Sequence, residues 1–236
     1  MLNFSILAAS SEKATKSRTT SFPNIKRRML ALLFGNIIMG LAMSMLRLSL
    51  FGNDPFSCMN LGYSNVSALS FGTCIILFNC VLIIPVLLFE RSYIQIGTLV
   101  NMFLLGPFSD LWYDLLLVLF GSTELPLSIR IALLVFGVTI SCFGASLYIC
   151  AKLGMGPYDA IGWILVARSE QKFKFRYVRM CIDFVAVSIG FTFGSIVGLG
   201  TLTMAFFTGP LISFFNNKIN MRLIYPNDPE AVKQVL

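Results

Sequence analysis

Long apolar stretches separated by short polar segments dominate the pattern of the chain. An α-helix needs about 20 apolar residues to cross a bilayer. Six stretches meet that length, at residues 29–51, 70–89, 93–119, 127–151, 175–195 and 198–217. The pattern therefore predicts six transmembrane helices in an all-α polytopic membrane protein.

Two other segments are interrupted by polar residues and are too short to cross a bilayer as ordinary helices. They occupy residues 53–69 and 155–171, and each opens on a turn that contains Pro. Pro is well tolerated in the first turn of a helix. We predict a short half-helix in each segment, either re-entrant or interfacial, and a pair of fully spanning helices is the alternative.

Composition excludes most soluble proteins and most enzymes. Apolar residues make up 56% of the chain and charged residues 12%, against about 25% charged residues in ordinary soluble domains. The chain has no His, which removes His-based catalysis and His metal ligands. It contains neither an HExxH nor a GxSxG motif, so we expect no enzyme activity, no catalytic residue, no metal and no cofactor.

The basic residues are concentrated in three segments. Fifteen of the 18 Lys and Arg lie in residues 1–28, 152–179 and 218–236, whereas the loops 52–69 and 120–126 have none. Basic loops resist translocation and stay on the cytoplasmic side. Six spans with a cytoplasmic N-terminus place all three basic segments, and both termini, inside. The net charge of +7 therefore indicates orientation in the lipid bilayer and no nucleic-acid partner.

The two halves of the chain carry matching residues at a nearly constant spacing of 102 to 104 positions. The matches pair Phe34-Gly35 with Phe136-Gly137, Ser44 with Ser146, Gly52 with Gly154, Pro55-Phe56 with Pro157-Tyr158, Asn79 with Asp183, Gly97-Thr98-Leu99 with Gly200-Thr201-Leu202, and Gly106-Pro107 with Gly209-Pro210. A colinear series of this kind predicts a duplication.

The duplication divides the chain into four parts. We predict a basic cytoplasmic tail at 1–28, a first repeat at 29–119, a second repeat at 120–217 and a second cytoplasmic tail at 218–236. If the half-helix does not cross, each repeat has three spans, and the odd number inverts the second repeat. Inverted repeats are common in secondary transporters, where substrate binds near the midplane at the repeat interface. Fully spanning half-helices would make the repeats parallel instead.

The start of each half-helix is a candidate substrate site. The motifs GNDP at 52–55 and GMGP at 154–157 break one helix and begin another, which presents free backbone amides and the positive end of a helix dipole. Such ends bind anionic groups. The residues predicted to bind substrate here are Asp54, Pro55, Pro157, Tyr158 and Asp159. The alternative is that the aspartates only cap their own helices.

Ionisable residues within the apolar stretches extend the predicted site. Asp183 lies eight residues into the fifth stretch and corresponds to Asn79 of the first repeat. An ionisable group inside a membrane is costly and points by default to a function. We predict that Asp183 couples a proton or a cation to transport, and a structural ion pair with Arg179, one turn earlier, is the alternative.

Further candidates lie at the helix breaks of the third and sixth stretches and near the end of the first. The Gly-Thr pairs recur in both repeats, and such pairs either permit close helix packing or mark a hinge or a site. The remaining predicted substrate-binding residues are Arg47, Asn79, Thr98, Asn101 and Thr201. Arg47 is expected to pair with Asp110, either as a structural clasp or as a gate.

Three motifs carry a resemblance to a known family. They are AKLGMGPYDAIG at 151–162, IGTLVNMFLLGPFSDL at 96–111 and LGTLTMAFFTGPLISFF at 199–215. With these motifs the chain resembles the YczE/YyaS/YitT family of bacterial integral membrane proteins over about residues 29–217. The resemblance implies a multi-pass protein of the bacterial cytoplasmic membrane that transports a small molecule.

These features predict a secondary transporter of a small organic solute that works by alternating access between two repeats. The half-helix N-termini and Arg47 favour an anionic group on the solute, whereas Asp183 favours a cationic one, so a zwitterion satisfies both. The alternative is a non-transporting membrane subunit or scaffold that binds a substrate, or that docks on an energising partner through the basic loop 152–179. We keep a homodimer of this chain as a further alternative for its partner.

Overall fold

A computed structural model describes residues 25–169, 173, 175–216 and 224. These residues form eight α-helices and no β-strand. The helices are α1 (Ile25–Ser49), α2 (Pro55–Ser67), α3 (Phe71–Phe89), α4 (Ile96–Phe120), α5 (Leu127–Ala151), α6 (Pro157–Arg168), α7 (Phe175–Thr192) and α8 (Leu199–Phe215). One 3₁₀ turn, at Arg91–Tyr93, precedes α4. The all-α fold predicted from the apolar pattern is confirmed.

Four of the described helices are long and apolar enough to cross a bilayer by length and composition: α1, α3, α4 and α5. The helix α8 has 17 residues, slightly fewer than a spanning helix ordinarily needs. The helix α7 carries Arg176, Arg179 and Asp183 within its 18 residues. The chain is thus a polytopic membrane protein in contact with lipid, and the count of six spans stays a prediction.

The observed helix ends differ from the predicted ones by a few residues. The helix α1 begins at Ile25, within the basic segment assigned to the tail, because an ordered helix can continue past the apolar stretch that crosses the membrane. The half-helices occupy Pro55–Ser67 and Pro157–Arg168, inside the predicted segments. Most of the two predicted tails lies outside the described residues.

The first helices of the two halves, α1 and α5, pack against each other in opposite directions. Arg28 near the start of α1 donates from Nε to the carbonyl oxygen of Ala151, at the end of α5, over 2.8 Å. Arg130 near the start of α5 donates in the same way to Ser49, at the end of α1, also over 2.8 Å. Each helix start therefore lies beside the other helix end, and the two helices are antiparallel.

Glycines let several helix pairs approach at backbone distance. A Cβ atom added at Gly35 of α1 would lie 3.0 Å from the carbonyl oxygen of Gly144 in α5. One added at Gly190 of α7 would lie 2.5 Å from the carbonyl oxygen of Cys58 in α2. Lipid offers no hydrophobic drive for helix association, so small residues at the interface maximise van der Waals contact.

The half-helices pack across the two halves of the chain. The helix α2, from the first half, packs mainly against α7 of the second, and α6 packs mainly against α3 of the first. Val86 of α3 joins Ala160 and Ile164 of α6 in one buried apolar cluster. This exchange ties the two halves together in a single bundle.

The backbone contact between α2 and α7 leads to a stability prediction. Gly190→Ala forces α2 and α7 apart, because the added carbon meets backbone and not a flexible side chain. Overpacking of this kind costs about 1–3 kcal/mol, so we expect a lower midpoint of thermal unfolding in detergent micelles. Gly209→Ala is the control, since a Cβ there has nothing within 4 Å. Equal midpoints for the two variants would contradict the close approach.

Candidate functional site

The first turns of the two half-helices meet in the middle of the bundle. The rings of Phe56 in α2 and Tyr158 in α6 have centroids 4.9 Å apart. They share a buried cluster with Met43 of α1 and Leu105 of α4, which lie away from the ends of two long helices. The N-termini of both half-helices therefore face one central region of the protein.

The chain reaches this region through two glycine turns. Gly52, after α1, has φ +97° and Gly154, after α5, has φ +111°, a conformation that glycine adopts without steric cost. A Cβ at Gly154 would lie 2.5 Å from the hydroxyl oxygen of Thr98, and one at Gly52 would clash with the hydroxyl of Thr201. These turns redirect the chain from the end of a long helix back toward the centre.

Thr98 and Thr201 lie against these turns. The amide of Gly97 donates to the carbonyl of Leu153, and the amide of Gly200 donates to the carbonyl of Phe51, each over 2.7 Å. Thr98 also donates to the carbonyl of Met155 over 2.9 Å. The two Gly-Thr pairs thus occupy equivalent positions in the two halves. The glycine of each pair bonds to the segment that follows the first helix of the opposite half.

An ionic cluster connects α6 to α7 beside the central rings. Arg179 of α7 binds the carboxylate of Asp159, and its Nε lies 3.1 Å from Oδ1 of Asp183. The hydroxyl of Tyr158 donates to the same Oδ1 over 2.7 Å, and the guanidinium of Arg179 lies 4.6 Å from the centroid of the Tyr158 ring. The predicted structural pair of Asp183 with Arg179 is confirmed, within a larger network.

Asp54 adds a third carboxylate from the other half of the chain. Its Oδ2 accepts the amide of Ser57 over 3.1 Å, so the predicted cap of the first half-helix is confirmed. It also interacts electrostatically with Asp183 and Arg179. Arg179 thus pairs directly with Asp159 and Asp183, whereas Asp54 is bonded to the start of its own helix. The N-terminus of α6 is different, because Gly156 is its capping position and Asp159 lies in its first turn, paired with Arg179.

The two predicted asparagines are both buried, on different helices. Asn79 lies within α3 with 3% of its surface exposed. Asn101 of α4 donates from Nδ2 to Oδ1 of Asn36 in α1 over 2.9 Å. In the second half, the positions equivalent to Asn36 and Asn101 are Val138 and Met204, and these two residues share an apolar cluster. The polar pair therefore distinguishes the first half from the second.

Arg47 lies in a separate cluster near the end of α1. Its NH1 is 3.2 Å from Oδ1 of Asp110 in α4, and its guanidinium lies 3.9 Å from the centroid of the Tyr113 ring. Oδ2 of Asp110 also accepts the amide of Gly72 at the start of α3 over 2.8 Å. The predicted pair with Asp110 is confirmed, and the structure does not bring Arg47 to the central ionic cluster.

Sequence reasoning missed three residues that the structure makes prominent. Arg28 falls within the predicted basic tail and Arg130 outside the predicted site, but their guanidinium groups bind the final carbonyls of the opposite long helices. Asn36 could have been found from the sequence, because it is a polar residue inside an apolar stretch. Within the described part of the chain, no group of three or more Cys, Asp or Glu side chains lies close enough to hold a metal ion.

The fold and its long apolar helices define a multi-pass α-helical membrane protein. The chain belongs to the family described as "Family of unknown function (DUF6198)", whose model matches residues 26–217.

Two relatives are informative about class. The chain is 25% identical over 163 residues to a Bacillus subtilis protein named "Uncharacterized membrane protein YczE", an alignment that covers 69% of this chain and 73% of the relative. It is 26% identical over 219 residues to an uncharacterized protein of Haemophilus influenzae, with 91% and 93% covered. The predicted YczE-type membrane family is confirmed. No solved structure matches the chain.

The hydrogen bond between Tyr158 and Asp183 can be tested by a double-mutant cycle. Tyr158→Phe keeps the ring but removes the donor, and Asp183→Asn removes the charge of the acceptor. A hydrogen bond to a charged group contributes about 1.5–3 kcal/mol, so each variant should lower the unfolding midpoint in detergent. Because the two changes remove one shared bond, the double variant should lose less than the sum of both.

Tyr113→Phe is the control for the cycle, since the Tyr113 ring covers Arg47 outside the central cluster. It should combine additively with Asp183→Asn. Additive losses for Tyr158→Phe and Asp183→Asn would show that the two side chains do not interact.

Proposed function

We propose that the protein is a membrane transporter of a small organic solute, which it moves by alternating access between two inverted repeats. The observation that carries the proposal is the meeting of two half-helix starts, one from each half of the chain, beside a partly buried ionic cluster. Secondary transporters bind their substrates at such interrupted helices near the midplane. In this proposal the protein lies in the bacterial cytoplasmic membrane.

The antiparallel packing of α1 and α5 supports the inverted relation. The eight helices recur in two sets of four, with starts 102 to 104 residues apart, so α1 and α5 are the equivalent first helices. Equivalent helices that run in opposite directions are related by a two-fold axis in the membrane plane. With fully spanning half-helices each repeat would have four spans, and α5 would run parallel to α1. The antiparallel pair therefore favours six spans and two re-entrant half-helices.

Alternating access in this arrangement is a rearrangement of one half against the other around a central site. The half-helices are suited to it because each packs on a helix of the opposite half. The ion pairs of Arg179 join α6 to α7, and the pair of Arg47 with Asp110 joins α1 to α4. Asp183 is the coupling residue in this proposal, because its charge decides whether Arg179 and Tyr158 stay bound to it.

A non-transporting subunit or scaffold is the second candidate. The observation that favours it is the concentration of six Lys and Arg in residues 152–179, a basic stretch of sequence suited to docking an energising partner. Stable co-purification of the chain with an ATPase, together with no solute movement by the chain alone, would favour this candidate over transport.

Uptake by purified protein in liposomes tests transport directly. Proteoliposomes with a proton gradient are given a mixture of labelled amino acids, small amines and small carboxylates, and uptake is read by mass spectrometry. We expect gradient-dependent uptake that falls at least tenfold in Asp183→Asn, because an amide cannot exchange a proton. Asp114→Asn is the control for removal of a carboxylate outside the cluster. Unchanged gradient dependence in Asp183→Asn would end the coupling role.

A further inference from the structure

Equivalent helix pairs of the two halves pack differently. In the first half α3 packs against α4, whereas in the second half the described residues of α7 and α8 make at most a marginal contact. Two equivalent glycines locate the difference. A Cβ at Gly106 of α4 would lie 2.5 Å from the carbonyl oxygen of Gly72 in α3, whereas one at Gly209 of α8 would have no described atom within 4 Å. The helices α7 and α8 are therefore apart where α3 and α4 are in contact.

The starts of the equivalent helices α3 and α7 have different neighbours. Phe71 at the start of α3 covers the guanidinium of Arg47 in α1, 4.6 Å from the ring centroid. The equivalent Phe175 of α7 stacks instead on Trp163 of the half-helix α6, with centroids 4.3 Å apart. The start of α3 is thus held by the long helices of its own half, whereas the start of α7 is held by α6.

An ion pair fastens the contact between α3 and α4. Oδ1 of Asp110 lies 3.2 Å from Nη1 of Arg47, and its Oδ2 accepts the amide of Gly72 over 2.8 Å, so this carboxylate joins α1, α3 and α4. The second half has Ile149 and Ser213 at the positions of Arg47 and Asp110. These two residues cannot form an ion pair, so the fastening exists in the first half alone.

The contact and the gap lie on opposite sides of the membrane. The ion pair lies near the end of α1, whereas the start of α7 belongs to the basic segment 152–179, which the positive-inside rule assigns to the cytoplasm. Asp159, half exposed, is bound to Arg179 near the start of α7. Because a charge that faces hydrocarbon is costly, the exposed half of Asp159 fits a water-filled opening on the cytoplasmic side.

Gly209 has no packing role in this arrangement of the helices. A glycine within a helix lowers its stability relative to alanine, and Gly106 is explained by its contact with Gly72. Gly209 is explained by a second arrangement, in which α7 packs on α8 as α3 packs on α4 here. Arg176 stands at the position of Gly72 and is exposed, and its flexible side chain can turn toward water as α7 approaches.

We infer that this structure is the state open to the cytoplasm, and that the ion pair of Arg47 with Asp110 is the gate that keeps its outer side closed. The inference rests on the proposed function, because it assigns the structure to one of the two states of alternating access. In the opposite state the ion pair is broken and α7 packs on α8 near Gly209. Since the second half has no such ion pair, the state closed on the outside is favoured in the absence of solute.

Distances between spin labels at equivalent, exposed positions test this assignment in the full chain in lipid nanodiscs. One label pair marks α3 and α4 and the other marks α7 and α8, in a background with Cys80 and Cys181 replaced by Ala. The pairs are Thr73→Cys with Leu111→Cys, and Tyr177→Cys with Phe214→Cys. Electron paramagnetic resonance should give a distance across α7 and α8 that is longer by at least about 5 Å, one helix turn. Equal distances would overturn the assignment.

Loss of the ion pair should populate the opposite state. Asp110→Asn removes the charge but keeps an oxygen that can accept the amide of Gly72. We expect a second population in which the α3–α4 distance is longer and the α7–α8 distance shorter, each by at least about 5 Å. Arg47→Gln breaks the same pair from the other side and should give the same result. Asp114→Asn, one turn further along α4, is the matched control and should keep the wild-type distances.

A bulky residue at Gly209 tests the second state from the opposite helix pair. Gly209→Leu has room in the present state but occupies the place that α7 would take on α8. Added to Asp110→Asn, it should remove the population with the short α7–α8 distance. Persistence of that population would contradict the contact at Gly209.

The gate would be overturned by wild-type distances in both Asp110→Asn and Arg47→Gln, or by a second population in Asp114→Asn. The gate and the proposed function can fail separately. Solute uptake by liposomes with wild-type distances in every variant would remove the gate and keep transport. A second population in Asp110→Asn and Arg47→Gln, without uptake of any solute, would keep the gate and remove transport.

Discussion

Inside a bilayer every backbone amide and carbonyl must be bonded within the protein. Two broken helices leave additional backbone groups in this protein that need such a bond. Each long first helix ends at a glycine turn, and the exposed groups at that end are bonded by the other half of the chain. Arg130 binds the end of α1 and Arg28 binds the end of α5. The amides of Gly200 and Gly97 bind the turns that follow. Neither half could leave its helix broken without the other, and the central site depends on these breaks.

The two halves share a frame but differ in chemistry. The turns, the arginine contacts and the half-helix starts occur in both. The second half places Tyr158, Asp159, Arg179 and Asp183 where the first half has Phe56, Ser57, Ile75 and Asn79. The ionic cluster is therefore one-sided, and it packs against apolar residues of the first half. In a two-fold arrangement this difference gives the two sides of the central region distinct charge.

Much of the fold could be predicted from the sequence, because lipid imposes a simple pattern on it. The apolar stretches and the Pro55 and Pro157 starts gave helix bounds that agree with the structure to within a few residues. The ion pair of Asp183 with Arg179 could be predicted because the two lie one turn apart. The pair of Arg47 with Asp110 could be predicted because both lie in the outer halves of their predicted spans.

The contacts between the halves could not be predicted in the same way, since they depend on how the helices align. The binding of Arg28 to the end of α5 follows only once α1 and α5 are known to be antiparallel and in register. The approach of Asn101 to Gly156 likewise joins helices that no local pattern relates. Buried polar residues in the apolar stretches, such as Asn36 and Asn101, were visible in the sequence but carried no indication of their partners.

The direction of α5 relative to α1 is the claim on which the two inverted halves depend, and one distance measures it. Spin labels at Ile25→Cys and Leu127→Cys, both exposed, mark the starts of the two helices, with Cys80 and Cys181 replaced by Ala. Antiparallel helices of 25 residues place these starts about 37 Å apart, so pulsed electron paramagnetic resonance should give a distance of about 35–40 Å. Parallel helices would bring them to about 10 Å, and a distance below about 20 Å would contradict the inverted arrangement.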